Sequence, residues 1–174
     1  MAAEVIRPEP VDPPFAGPER AVLAGWLDFH RATLLLKCDG LDADQRKRRP
    51  VPTSLMSLHG MVRHMADVER NWFVHALERP DLPATYWTDQ AADADWAPLD
   101  DADWAADLAV WRGECEQSRI TAAAHGLDDI GVAVRGGQRA EFSLRWIYNH
   151  MIEEYARHNG HADLIRELIV GTAG

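Results

Sequence analysis

The chain has 174 residues, 47% of them hydrophobic, and a formal net charge of −10 at pH 7. That is enough apolar material for one domain with a real core, and the negative field excludes nucleic acid or an anionic membrane surface as the main partner. Only two cysteines occur, Cys38 and Cys115, too few for a disulfide framework, so the composition fits a reducing, cytoplasmic setting.

Residues 1–17 read as an extended lead-in, punctuated by prolines between residues 8 and 14 and lacking the apolar run of a secretory peptide. Pro18 and Glu19 mark a helix start. Val22, Leu23, Trp26, Leu27, His30, Leu34 and Cys38 then recur at helical spacing up to a stop at Asp39-Gly40. Residues 41–52 are polar, with room for a short helical turn. Their basic run at residues 46–49 reads as a solvated loop.

A second helix is expected from Thr53 or Ser54, either able to cap it, with Leu55, Leu58, Val62, Met65, Trp72 and Ala76 as its core stripe and Pro80 as its end. A third runs from about Asp101 to Ala124, with Trp104, Leu108, Trp111 and Cys115 on one side and aspartates at its N-terminal end. Residues 129–140, with Gly131 and Gly136-Gly137, read as a turn or small hairpin. The last helix carries Leu144, Ile147, Tyr148, Met151, Tyr155, His158, Ala162, Ile165 and Ile169 as its stripe. Four amphipathic helices without alternating strands predict an all-α four-helix bundle over residues 18–174. No segment is long and apolar enough to span a bilayer.

The last helix also carries the chemistry. Glu154 and His158 are an i, i+4 pair on one face, and His158 stands where the apolar stripe expects a hydrophobe. A divalent metal is the best reason for that placement. By spacing alone His150 with Glu154, Glu154 with His158, or His158 with His161 are all possible pairs. Glu154, His158 and His161 do not all reach one ion, since i to i+7 spans about 10 Å of helix, so another helix must complete the site. The second helix offers His59, His64 and His75. His59 and His64 lie about 140° apart on the wheel, at opposite flanks of the stripe, and the wheel does not choose between them. Glu69 falls inside that stripe and needs a partner such as an arginine or a histidine nitrogen.

Residues 58–73 (LHGMVRHMADVERNWF) resemble the second helix of the DinB-like bundle superfamily, and residues 145–167 (RWIYNHMIEEYARHNGHADLIRE) look like its fourth. The match is closest to an actinobacterial, mycothiol-transferase-like subgroup, and covers nearly all the chain after residue 18. The resemblance implies a divalent metal, zinc or nickel, held by His64 from the second helix and by Glu154 and His158 from the fourth. Many relatives have histidine in place of Glu154, whereas mycothiol-dependent maleylpyruvate isomerase is similar to this chain in using a His–Glu–His set. That isomerase has a second, C-terminal domain with no counterpart here, so its isomerase activity is not carried over.

The resemblance implies a metal-dependent thiol S-transferase. A low-molecular-weight thiol of the mycothiol type would attack a small electrophile, since three protein ligands leave a coordination position open. The alternatives are a non-catalytic homodimeric stress-response or binding bundle with a structural or vestigial metal, and a metal-dependent hydrolase. A homodimer is expected, with exposed tryptophans marking its interface. The acidic residues 89–107, interleaved with tryptophans, read as a solvated loop and helix start in preference to a pocket wall. Asp93 and Asp95 lack the glycine and terminal glutamate of a calcium loop. Gly160, costly inside a helix, suggests close packing or a substrate's approach. Arg157 and Arg166 read as surface partners of Glu153 and Glu167, and Cys38 and Cys115 as packing residues.

Overall fold

The computed structural model describes residues 9–135 and 137–172. The chain is mostly helical, as its periodicity predicts, with a small two-stranded sheet added. Residues 1–8 of the expected lead-in, Gly136 of the expected turn and residues 173–174 fall outside the described residues. The described part of the lead-in is packed against α1, the first helix: Pro13 is buried, and a side chain at Gly25 would collide with Pro14 at 2.8 Å.

Helix α1 spans Glu19–Cys38 with Pro18 at its N-cap. A short α2 comes next at Ala43–Lys47, opened by a capping box between Asp42 and Gln45. The basic run is tied down, contrary to expectation. Arg46 lies over the Trp104 ring at 4.5 Å and donates to the Cys38 carbonyl, while Lys47 donates to the Asp100 carbonyl. These residues fasten the loop ahead of the next long helices.

The second long helix, α3, starts later than predicted, at Leu58, and ends at Glu69. Ser57 caps it through Gly60 N–H, not Thr53 or Ser54. Thr53 has φ of 66°, a left-handed conformation that cannot open a right-handed helix, and Leu55 is left 41% exposed outside the core. Beyond Glu69 the helix widens into a π segment, Arg70–His75. The long α4 spans Trp104–Ala124, three residues short of the expected start, with the Asp103 carboxylate capping Ala106 N–H.

The hairpin exists and is longer than expected. Strands β1 (Ile130–Arg135) and β2 (Gln138–Ser143) pair antiparallel in the register Ile130↔Ser143 to Arg135↔Gln138. Gly131 is required there, because a Cβ would sit 2.6 Å from the Ala76 carbonyl. The last helix, α5, spans Leu144–Val170 and ends at Gly171 in the left-handed region. It packs chiefly along α1, and α3 packs chiefly along α4. Arg166 donates to the Lys37 and Asp39 carbonyls at the end of α1 instead of pairing with Glu167, and Lys37 meets Asp163 at 2.7 Å. A Cβ on Gly160 would meet open space, so that glycine marks no close packing. No helix among the described residues is long and apolar enough to cross a membrane.

The core is a single apolar cluster drawn from all four long helices. At its centre sits an ion pair. Glu69, fully buried at the end of α3, receives Arg31 of α1 through Nε (2.7 Å) and Nη2 (2.6 Å). Tyr155 of α5 donates its hydroxyl to the same carboxylate at 2.8 Å and accepts from Trp111 Nε1 at 3.0 Å. Cys115 is more than packing, since its Sγ reaches Glu69 Oε1 at 3.6 Å. Burial raises the pKa of both Tyr155 and Cys115 well above ordinary values, so both keep their protons and act as donors. The partner that the sequence demanded for Glu69 is thus Arg31.

Candidate metal centre

Residues 79–103 carry no regular helix or strand, yet α3 holds them firmly. The Asp67 carboxylate accepts from the backbone N–H groups of Thr85, Tyr86 and Trp87. One turn earlier, Arg63 donates to the Ala94 and Pro98 carbonyls and covers the Tyr86 ring at 4.4 Å. At Gly60 the loop backbone comes so close that a Cβ would lie 3.1 Å from the Trp96 carbonyl oxygen. A loop this long and this well fastened belongs to a functional site more often than to a linker.

The loop delivers Asp95 and Trp96 to His64. His64 Nδ1 lies 2.7 Å from Asp95 Oδ2, and Asp95 is buried. The Trp96 ring stacks on His64 at 4.6 Å and lies 5.7 Å from His158. With Nδ1–H donated to the carboxylate, the His64 tautomer is fixed and Nε2 keeps its lone pair for a ligand. Across from it, on α5, His158 Nε2 lies 3.7 Å from Glu154 Oε2, and the His64 and His158 ring centroids are 4.9 Å apart. Donor atoms of His64, Glu154 and His158 all lie within 4.8 Å of one another, so small side-chain rotations bring them onto one ion at bond lengths of about 2.0–2.2 Å.

Electrostatics favour ligation. Burial, then the neighbouring His64 and His161 rings, push the His158 imidazole down to about 3, so near neutral pH it is uncharged with a free lone pair. The side chains of His64, Glu154 and His158 are 22%, 16% and 10% exposed, which leaves a partly sheltered site still reachable from solvent. Glu154 is shared: His150 Nε2 lies 3.5 Å from its other oxygen, and Arg157 Nη1 lies 3.4 Å away. His150 and Glu153 therefore make a second His/Glu group around the same carboxylate. His150 is also enclosed by Trp72 and Trp146 at 4.7 and 4.8 Å, and Arg157 pairs with Glu153 as expected.

The remaining histidines take other roles. His161 Nδ1 lies 3.5 Å from His158 Nδ1, on the side of that ring away from Glu154. His59 points into the α3–α4 contact, where its Nε2 meets Asp107 Oδ2 at 2.8 Å, while the other Asp107 oxygen accepts the Tyr86 hydroxyl. His75 bonds the Leu82 carbonyl through Nδ1. The two flanks that the helical wheel left equivalent are thus distinguished by what packs on them.

A cleft of about 620 Å³ opens beside the centre. Its floor is the π segment and its far wall the loop around Leu82 and Trp87, and it reaches the centre from the side of His64 and Asp95. The reading of the acidic stretch as mere solvated loop is therefore corrected, because two of its residues build the site and others wall the cleft.

The mycothiol-S-transferase family matches residues 22–171. The chain belongs to the mycothiol-S-transferase family. Among curated proteins, none matches the chain. The family match spans α1 through α5 and so includes the loop and both helices that carry the centre.

Asp95 is the residue to test first around the centre. Asp95→Ala is expected to lower the affinity for a divalent ion about 10–100-fold, the usual cost of removing a carboxylate behind a ligating histidine, with helix content unchanged. Competition against a chromogenic chelator measures it. Unaltered affinity would mean that His64 needs no such partner.

Proposed function

We propose that the protein is a metal-dependent thiol S-transferase whose ion, zinc or nickel, is held by His64, Glu154 and His158. The observation that carries this reading is the convergence of these three side chains with Asp95 behind His64, in a chain whose family is named for mycothiol transfer. A low-molecular-weight thiol of the mycothiol type and a small electrophile are the substrates.

When bound, the ion supplies positive charge that lowers the pKa of a thiol toward neutrality. The chain's own residues do the rest. Asp95 holds His64 in one tautomer and orientation, so the site is arranged before the substrates arrive. Glu154 contributes one negative charge, which makes the site a milder acid than three histidines would. Its second neighbour, His150, keeps that carboxylate oriented. Trp96, over both imidazoles, limits water at the donor atoms, and the cleft beside His64 offers the electrophile a place next to the thiol sulfur. In the transfer a new S–C bond forms, the electrophile's leaving group departs with its bonding pair, and the thiol proton passes to solvent.

The same reading places residues 18–174 in one four-helix bundle domain acting in the cytoplasm as a homodimer. Exposed Trp26 and Trp146 are candidates for the dimer face.

The test is formation of the S-conjugate from mycothiol and a chromogenic electrophile, with protein as purified, chelated and reloaded. Chelation is expected to abolish enzymatic transfer and zinc or nickel to restore it. Thiol addition should also change the visible spectrum of nickel-substituted protein. Full transfer by metal-stripped protein would sink the reading. A reloaded protein that binds metal but neither perturbs it with thiol nor transfers would point to a structural ion.

A further inference from the structure

The walls of the cleft carry information about the electrophile, and this inference rests on the transferase reading. The apolar side of the lining includes Trp72, Trp87, Val68, Leu82 and Ala84. Two indole rings and three aliphatic groups favour a flat, apolar ligand, because aromatic faces stack well and bury large area. A volume of about 620 Å³ is in the range that small organic ligands fill.

Charge decides the rest. An anionic substrate needs a cation to meet it, and the one arginine among the described lining residues is already engaged. Arg70 donates Nε to the Pro83 carbonyl at 2.8 Å and Nη1 to the Glu114 carboxylate at 2.6 Å. The two histidines on the wall are also tied through Nδ1, His64 to Asp95 and His75 to the Leu82 carbonyl. Three carboxylates also line the cleft, Asp67 and Asp95, already bonded to the loop and to His64, and Asp89, in a chain of net charge −10. Once Glu154 and a thiolate balance the two charges of the ion, a carboxylate brought into this cleft would lose water without gaining a free donor of positive charge from the described lining residues.

We propose that the cleft accepts a flat, uncharged aromatic electrophile and rejects its anionic counterparts. Specificity then comes from repulsion as much as from fit, with the Arg70–Glu114 pair withdrawing the only guanidinium among the described lining residues.

The experiment is calorimetric titration of the full-length, metal-loaded protein saturated with mycothiol, using 1,3-dinitrobenzene and 3,5-dinitrobenzoate, which share a ring and differ by one carboxylate. The neutral compound should bind at least tenfold more tightly. Ala84→Asp, which adds a charge to the wall, and Trp87→Ala, which removes a stacking face, should each weaken it at least fivefold. Equal or tighter binding of the benzoate overturns the proposal. So does neutral binding that neither variant changes, since the ligand would then sit elsewhere. A parallel rate comparison uses 1-chloro-2,4-dinitrobenzene and 4-chloro-3,5-dinitrobenzoate with mycothiol, each relative to its uncatalysed rate. In both reactions sulfur bonds to the ring carbon, chloride leaves and the thiol proton goes to solvent. Selective binding without transfer would sink the transferase reading and support the cleft preference. Equal acceleration of both chlorides would overturn the preference and leave the transferase reading standing.

Discussion

Alanine at His158 is expected to cost the protein its divalent ion while leaving it folded. Wild type should carry about one ion per chain, as a site of three protein ligands does, and His158→Ala well under a tenth of that after dialysis. The expected loss of affinity is on the order of a hundredfold or more, because the ~10–16 kcal/mol of a tight zinc site is shared among only a few ligands. The fold should survive. The polar contacts of His158 are long, 3.5 Å to His161 and 3.7 Å to Glu154, and alanine is the best helix former. The informative control is His150→Ala. His150 touches the same Glu154 carboxylate, at 3.5 Å, in the second His/Glu group, yet it lies outside the trio that His64 completes. It should keep its ion. Elemental analysis of the three proteins decides: if His150→Ala lost the ion and His158→Ala kept it, the centre would be the second group.

Much of this was legible in the sequence, for identifiable reasons. The long helices announced themselves because their apolar residues repeat at the helical period, and Glu154 with His158 stood out because both share a face with that stripe. His64 was a different matter. His59 and His64 flank the stripe of α3 almost symmetrically, and only the arrangement of neighbours separates them: α4 brings Asp107 to His59, while the loop and α5 bring Asp95 and His158 to His64. No periodicity on α3 encodes that arrangement, and the choice rested on family resemblance.

Asp95 and Trp96 were harder still, since a loop has no period and several other aspartates lie close by in sequence. The signal that existed lay on α3. Gly60, Arg63, Asp67 and Asn71 form a second stripe at helical spacing, which looks like an ordinary solvated face. Gly60, Arg63 and Asp67 in fact carry the loop, and Asn71 lines the cleft. The π segment was equally silent, because Trp72 and Ala76 continue the α-helical pattern of core residues that precedes it. Such widened turns gather at functional sites, and this one forms the floor of the cleft.

Removing the buried carboxylate at the centre of the core should have the largest effect on stability. Glu69→Ala strands Arg31, which is 4% exposed and otherwise left with Asp28 at 2.9 Å. Burial alone would disfavour the Arg31 charge, and its buried neighbours, Glu69 first among them, more than offset it. The substitution also leaves the Tyr155 hydroxyl without its acceptor. Breaking one side of a buried pair costs about 3–5 kcal/mol, which for a chain of this size lowers Tm by roughly 6–20 °C. Tyr155→Phe, which deletes one donor to a charged acceptor, should cost less, about 1.5–3 kcal/mol. The double variant Arg31→Met/Glu69→Leu should recover much of the loss, because apolar groups of similar volume remove the stranded charge. Thermal and urea unfolding measure all three. A Glu69→Ala protein within about 1 kcal/mol of wild type would show that Arg31 finds water, and would end the view of this pair as a closed core unit. The network also bears on function through geometry. Glu69 lies five residues beyond His64 on the same helix, and Tyr155 sits between Glu154 and His158 on α5, so one hydrogen bond at 2.8 Å ties together the two helices that carry the proposed ligands. Tyr155→Phe should therefore weaken metal affinity severalfold at a temperature where the variant is fully folded, and Asn159→Ala, which removes a hydrogen bond of the α1–α5 contact, should weaken it less.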